Sequence, residues 1–248
     1  MTMAQHIPIL MYHQTAETPP KGSPLRGLVV APDTFSRQMR SLAALGYRGL
    51  SMTDLLPYLS GRLRGKVFGI TFDDGYENTL VNAMPVLRAL GFTSTCYVVA
   101  GLLGGRNVWD AQLGIAQVPL MTAEQLQVWI DAGQEVGSHT MTHADLAKIS
   151  ETEQMREIVQ SKLQLEAAIR QPHGVQHFCY PYGHLNPESV KCVGEAGYLS
   201  ATTTQRGRAV VGDSSNMLLL PRVLVSRTTS WAQLLVKCLT HYEQKRSK

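Results

Sequence analysis

Two periodicities of apolar and polar positions take turns along the chain. Short continuous apolar runs at 7–12, 67–72 and 93–100 read as buried strands. Shorter runs at 47–52, 134–138, 177–180, 198–204 and 217–226 read as further strands. Between them apolar residues recur at helical spacing. Phe35, Met39, Leu42 and Leu45 form one such stripe, with Asp33 as the cap and Gly46 as the stop. The same spacing predicts helices at 54–59, 76–90, 122–132, 151–171 and 231–239, and one opened by Pro187. Pro85 should kink or restart its helix. Thr122 and Gln125 form a capping box, and Asn186 caps the helix that Pro187 begins. Two segments lack either period: 14–32, with four prolines, and the Gly-rich 101–120. Long loops in a compact chain are usually functional, and the first is read as a rim or lid.

Strand and helix alternate for seven or eight rounds in 248 residues. That pattern predicts an α/β fold, an irregular parallel (β/α)7-8 barrel forming a single domain over 1–248. A doubly wound open sheet is the alternative. No G-x-G-x-x-G follows a strand, so no dinucleotide site is expected. A hydrophobic content of 44% is enough for a sizeable core, and a net charge of +4 is only mildly basic. No stretch interleaves aromatics with dense Lys and Arg, so nucleic acid is not an expected partner. The basic end, 245–248, reads as a solvated tail. Cys96, Cys179, Cys192 and Cys238 show no C-x-x-C spacing and read as reduced, buried thiols. No signal peptide and no apolar run of bilayer-spanning length is seen, so the expectation is a cytoplasmic protein without a transmembrane segment.

The chemistry gathers where strands end. The run at 67–72 stops at Asp73-Asp74-Gly75. Two adjacent carboxylates at a strand tip are costly without a positive charge beside them. A divalent metal would supply it and leave one carboxylate free as a base. His139-Thr140-Met141-Thr142-His143 begins where another strand ends, and a helical turn there would put both imidazoles on one face, within reach of one ion. Two surface or capping histidines are the bland alternative. His13 and Tyr182 also follow strands. Alone, His13 reads equally as a satisfied histidine under the Pro-rich loop, and Tyr182 as a turn aromatic. In a parallel barrel, however, all strand C-termini converge on one face, where barrel enzymes carry their sites.

Three ordered stretches also carry a resemblance: 71–75 (TFDDG), 138–143 (SHTMTH) and 178–183 (FCYPYG). Together they resemble the first three motifs of the NodB-homology polysaccharide deacetylases, carbohydrate esterase family four. The Leu10-Met11-Tyr12-His13 start is similar to the circularly permuted branch that includes the poly-N-acetylglucosamine deacetylases. The likeness runs through nearly the whole chain. It implies a distorted barrel and a metal held by Asp74, His139 and His143. It also implies Asp73 as the base, His13 as the general acid, and substrate contacts at Pro181 and Tyr182, with the Tyr182 backbone N–H on the oxyanion. Many members carry Arg where this chain has Cys179, and Arg222 is the candidate to orient Asp73 instead. The implied cofactor is one divalent ion, Zn²⁺ first, with Co²⁺, Ni²⁺ or Mn²⁺ as alternatives. The implied activity is a hydrolase removing N-acetyl groups from an amino-sugar glycan or glycoconjugate, with peripheral membrane contact if that substrate is lipid-linked. Tyr182 and Trp109 could stack on a sugar ring. Three other readings stand beside it: a small or cyclic amide as substrate, a silent glycan-binding module, and Mg²⁺-dependent phosphoryl transfer. The last lacks both an Asp-x-Asp and a P-loop.

Overall fold

Parallel strands separated by helices close into a barrel in the structure, a computed structural model that describes residues 5–245. The strands of the main sheet are β1 (Ile9–Tyr12), β2 (Arg48–Leu50), β3 (Val67–Phe72), β4 (Thr95–Val98), β5 (Glu135–Ser138), β6 (His177–Cys179), β7 (Ser200–Arg206) and β8 (Leu220–Leu224). Seven of them run β1-β8-β7-β6-β5-β4-β3 around the barrel, and β3 pairs back onto β1 to close it. The exception is β2, which pairs only with the start of β3, Arg48 opposite Val67. Its Gly49 carbonyl accepts from the Thr93 N–H, so β2 is wedged at the base between β3 and β4. The irregular barrel is therefore the architecture, and the open sheet is not.

Strand parity sorts the core. In β3, Phe68, Ile70 and Phe72 pack with the helices of the outer shell. The alternate positions, Val67, Gly69, Thr71 and then Asp73, face the lumen, because successive side chains of a strand point to opposite faces. Leu10 and Tyr12 of β1 likewise join the outer shell, which leaves Ile9, Met11 and then His13 inward. The ladder sets Tyr12 opposite Phe72, so His13 and Asp73 leave the barrel side by side.

The helices follow the sequence with instructive differences. α1 (Pro32–Ala44) buries Phe35, Met39 and Leu42, but its N-cap is Ala31, with no side-chain cap bond. Pro32 takes the first helical position and Asp33 is an acid in the first turn, where it meets the positive end of the helix dipole. Leu45 lies past the helix end and is 43% exposed. Pro85 does restart its helix, as α3 (Glu77–Asn82) and α4 (Met84–Leu90). The capping box of α5 (Ala123–Asp131) forms with both halves in place. α6 (Glu151–Ala168) ends before 171 and has its own capping box, Ser150 with Glu153. Gln171 is used elsewhere: its amide bonds both the N–H and the carbonyl of Val136 in β5. α7 (Pro187–Glu195) is capped by Asn186, and α8 spans Trp231–Leu239. All four cysteines are buried and free. Lys245 ends a short helix, Tyr242–Lys245, while 1–4 and the rest of the basic tail, 246–248, lie outside the described residues. Among the described residues no helix is long and apolar enough to cross a membrane.

At the base of the barrel a polar group sits beside the apolar side chains Ile9, Val67 and Leu220. Glu135 is buried there. Its carboxylate accepts from the Met52 and Thr53 N–H groups at the start of α2 (Met52–Leu59) and from the Thr53 and Thr95 hydroxyls. His177 Nε2 is 3.5 Å from it, and His177 Nδ1 is 2.8 Å from the Ser200 hydroxyl. Glu135 thereby ties α2 to β4, β5 and β6. Replacing it (Glu135→Ala) strands several buried donors at once. Denaturant unfolding should show a loss on the order of 3 kcal/mol, and calorimetry a Tm lower by roughly 5–10 °C.

Candidate active site

The residues at the strand ends meet above the lumen, in two groups. In the first, Asp73 is held by Arg222 from β8. The guanidinium donates from Nη1 to one carboxylate oxygen at 2.7 Å and from Nη2 to the other at 2.8 Å. Arg222 is itself fully buried and donates further to the Thr203 carbonyl and the Thr71 hydroxyl. Cys179 Sγ lies 3.2 Å from Arg222 Nη2. His13 Nε2 stands 3.8 Å from Asp73 Oδ2.

The second group is Asp74, His139 and His143. Both Nε2 atoms face the same oxygen, Asp74 Oδ1, at 3.5 Å from His139 and 3.4 Å from His143. One ligand atom from each of the three lies within 4.8 Å of the others, and all three side chains are buried. His139 and His143 converge without the expected helical turn. Thr140 and His143 sit instead at φ 67° and 62°, and the loop folds the second imidazole back onto the first. Glu157 of α6 holds that loop, accepting from the Met141 and Thr142 N–H groups. Asp74 is also left-handed, at φ 77°. Strand parity would aim it away from Asp73, and this turn, continued by Gly75 at φ 80°, brings it back to the same face. Tyr182, at φ 58°, is the fourth left-handed non-glycine residue here.

The trio needs a positive charge at its centre. His139 Nδ1 lies 2.7 Å from the Cys179 carbonyl, which can only accept, so Nδ1 carries a proton. In a neutral ring Nε2 then presents a bare lone pair to a carboxylate oxygen, which is repulsive unless a cation lies between. Burial lowers the His139 pKa, but its contacts with Cys179 and Asp74 outweigh burial and carry it well above the ordinary value. Asp74 shows the complement. Burial would raise it, and the hydrogen bonds to His139 and His143 bring it well below the carboxylate range. His143 is lowered, chiefly by burial. Two imidazole nitrogens and one carboxylate fit a divalent ion of the zinc type. Asp73 differs: burial raises it, and the Arg222 charge and hydrogen bonds outweigh that and lower it, so it is ionised at neutral pH.

A cavity of about 720 Å³ opens over both groups. The 14–32 segment forms one of its walls and the 109–118 segment another. Trp109 stacks on the His143 ring at 4.5 Å between centroids, so one of its faces is already occupied. Tyr182 stands edge-on to the same imidazole, and its hydroxyl donates to Asp110 Oδ1 at 3.1 Å. Pro181 does not line the cavity. It is buried and forms the turn that carries Tyr182. Sequence reasoning gave Asp110 and the loop-holding Glu157 no part in the site. The available signals were an acid beside an isolated Trp in a loop and an acid on the buried stripe of α6.

Comparison with known proteins agrees with this geometry. The sequence profile of the family described as "Polysaccharide deacetylase" matches residues 60–201. The chain is 29% identical over 222 residues to YxkH of Bacillus subtilis, covering 89% of this chain and 71% of that one. It is 24% identical over 206 residues to the poly-beta-1,6-N-acetyl-D-glucosamine N-deacetylase of Staphylococcus epidermidis, covering 82% and 70%. The solved structure of the Streptococcus pyogenes deacetylase PplD in complex with acetate superposes with a TM-score of 0.80 at 27% identity, covering 95% of this chain and 99% of that one. The chain therefore belongs to the polysaccharide deacetylase family, hydrolases of carbon–nitrogen amide bonds.

Proposed function

We propose that the chain acts as one deacetylase domain over 1–248, a metal-dependent hydrolase that removes acetyl groups from N-acetylated amino sugars of a glycan or glycoconjugate. One observation carries the reading: the two adjacent carboxylates have different partners. Asp73 is committed to Arg222, while Asp74 faces two imidazole nitrogens. Asp74, His139 and His143 are the ligands of one divalent ion, Zn²⁺ in the first place and Co²⁺, Ni²⁺ or Mn²⁺ otherwise. When bound, such an ion supplies an acidified water with a pKa of about 7 and polarises the amide oxygen. The name of the Staphylococcus epidermidis relative and the acetate in the PplD structure support an acetamido sugar as the substrate.

The chain's own residues do the rest. Asp73 accepts the proton of the attacking water. Arg222 keeps it ionised and fixes the direction of its lone pairs, at the cost of some basicity. The Tyr182 N–H, presented by its left-handed turn, donates to the oxygen that becomes negative as the carbonyl turns tetrahedral. An amine leaves poorly unless it is protonated, and His13, beside Asp73, delivers that proton to the nitrogen.

Three outcomes are expected. Dialysis against Zn²⁺ followed by elemental analysis should give one ion per chain, and His143→Ala should abolish stoichiometric binding. Should the variant hold its ion as tightly as the parent, the ligand set is wrong. Asp73→Asn should keep the fold by circular dichroism and lower kcat for acetate release by about 10²–10⁴. His13→Gln should be similarly impaired on an alkyl acetamide and much less on p-nitroacetanilide, whose electron-poor amine depends far less on being protonated as it leaves. An equal loss on both would remove His13 as the acid.

A further inference from the structure

Away from the carboxylates and imidazoles the cavity walls change character. The 14–32 segment presents Pro19, Pro20, Pro24, Leu25 and Leu28. Leu113, Ile115 and Val118 line the cavity from the 109–118 segment. Leu25 is 50% exposed and Leu113 is 66% exposed. Large apolar side chains left in water around one cavity mark the place of a ligand. A bare oligosaccharide does not fit that lining. Each hydroxyl it carried between these walls would leave water for a surface with few partners, which costs free energy. The cavity's other charged side chains have protein partners of their own. Asp110 accepts from the Tyr182 hydroxyl, and Arg206 Nε lies 3.1 Å from the buried Glu243 carboxylate. The polar groups that a sugar amide needs are concentrated instead at the floor, around Asp73, Asp74 and the imidazoles.

We propose that the substrate is amphipathic: its amide-bearing head lies on this polar floor, and an uncharged alkyl-like chain joined to the head lies between the two apolar walls. The head rests on the deacetylase reading above, and the chain rests on the walls alone. Burial of such a chain is non-directional and scales with area, so affinity rises with chain length until the cleft is filled. The chain can be attached on the glycosidic side of the sugar or as the acyl group itself, and the two are separable by assay.

The test uses the Zn²⁺-loaded protein below micelle-forming concentrations. Acetate release is measured from the methyl and octyl β-glycosides of N-acetylglucosamine and from the N-acetylglucosamine tetramer. Acyl release is compared between N-octanoyl- and N-acetylglucosamine. Calorimetry follows the binding of octyl β-glucoside, which has no amide. The octyl glycoside should exceed the methyl glycoside about tenfold or more in kcat/KM, mainly through KM, and Leu25→Asp with Leu113→Asp should bring that ratio near one. Preference for N-octanoyl over N-acetyl supports the proposal with the chain on the acyl side. No gain from an octyl group on either side, or preference for the tetramer, overturns it while leaving the deacetylase reading intact. Release of neither acetate nor octanoate from any substrate, with octyl glucoside still bound and that binding lost in the double variant, removes the deacetylase reading and upholds the chain assignment. The same silence with no octyl glucoside bound overturns both.

Discussion

The buried pair of Asp73 and Arg222 is the constraint from which the site takes its shape. An arginine with no solvent exposure, deep in a barrel, is tolerable only where its charge is matched and its donors are used. Here both conditions hold through the two carboxylate bonds, the Thr203 carbonyl and the Thr71 hydroxyl. The pair joins β3 to β8, which are not neighbours, since β1 runs between them. It also breaks the equivalence of two acids adjacent in sequence. With Asp73 claimed by a guanidinium, Asp74 alone is left to balance the imidazoles. Without that claim both carboxylates would compete for one positive charge.

The second constraint is backbone conformation. Six non-glycine residues in the described chain have positive φ, and Asp74, Thr140, His143 and Tyr182 are four of them. Each lies just past a strand end, where the ladder no longer dictates direction. Strand parity delivers Asp73, His13 and His139 to the lumen without strain. The left-handed residues add what parity cannot: a second carboxylate, a second imidazole and the turn at Tyr182. Such conformations persist where the surroundings over-determine them. The surroundings here are Glu157 under the 141–142 amides, Trp109 against His143, and the Tyr182–Asp110 bond.

The two ends of the barrel divide the work. The base is cross-linked by Glu135, which gathers donors from α2 and from β4 and stands close to His177 of β6. The loops of the opposite end carry the exposed apolar walls and the polar floor. Rigidity below and variable loops above are what allow a barrel to keep its chemistry while its substrate changes.

Much of this was written in the order of residues. Alternating strand and helix patterns pointed to a parallel α/β fold, because strands such as 67–72 are continuous apolar runs and each helix carries one stripe, while closure into a barrel and not an open sheet came from the pairing of β3 with β1. The polar groups that end those runs, Asp73-Asp74, His139, His13 and Tyr182, followed for the same reason. Local sequence could not assign the direction of Asp74 or of His143, since a left-handed turn in a non-glycine residue is imposed by neighbours distant along the chain. It placed Asp33 as a cap where Pro32 had already opened the helix, and it could not see that Gln171 bonds a strand instead of extending α6. Arg222 entered only as a candidate that the family resemblance offered for Asp73; its two-bond grip, the stacking of Trp109 on His143 and the apolar lining of the cleft were decided by tertiary structure. Each joins segments tens of residues or more apart, and a sequence holds the identity of such partners but not their distance.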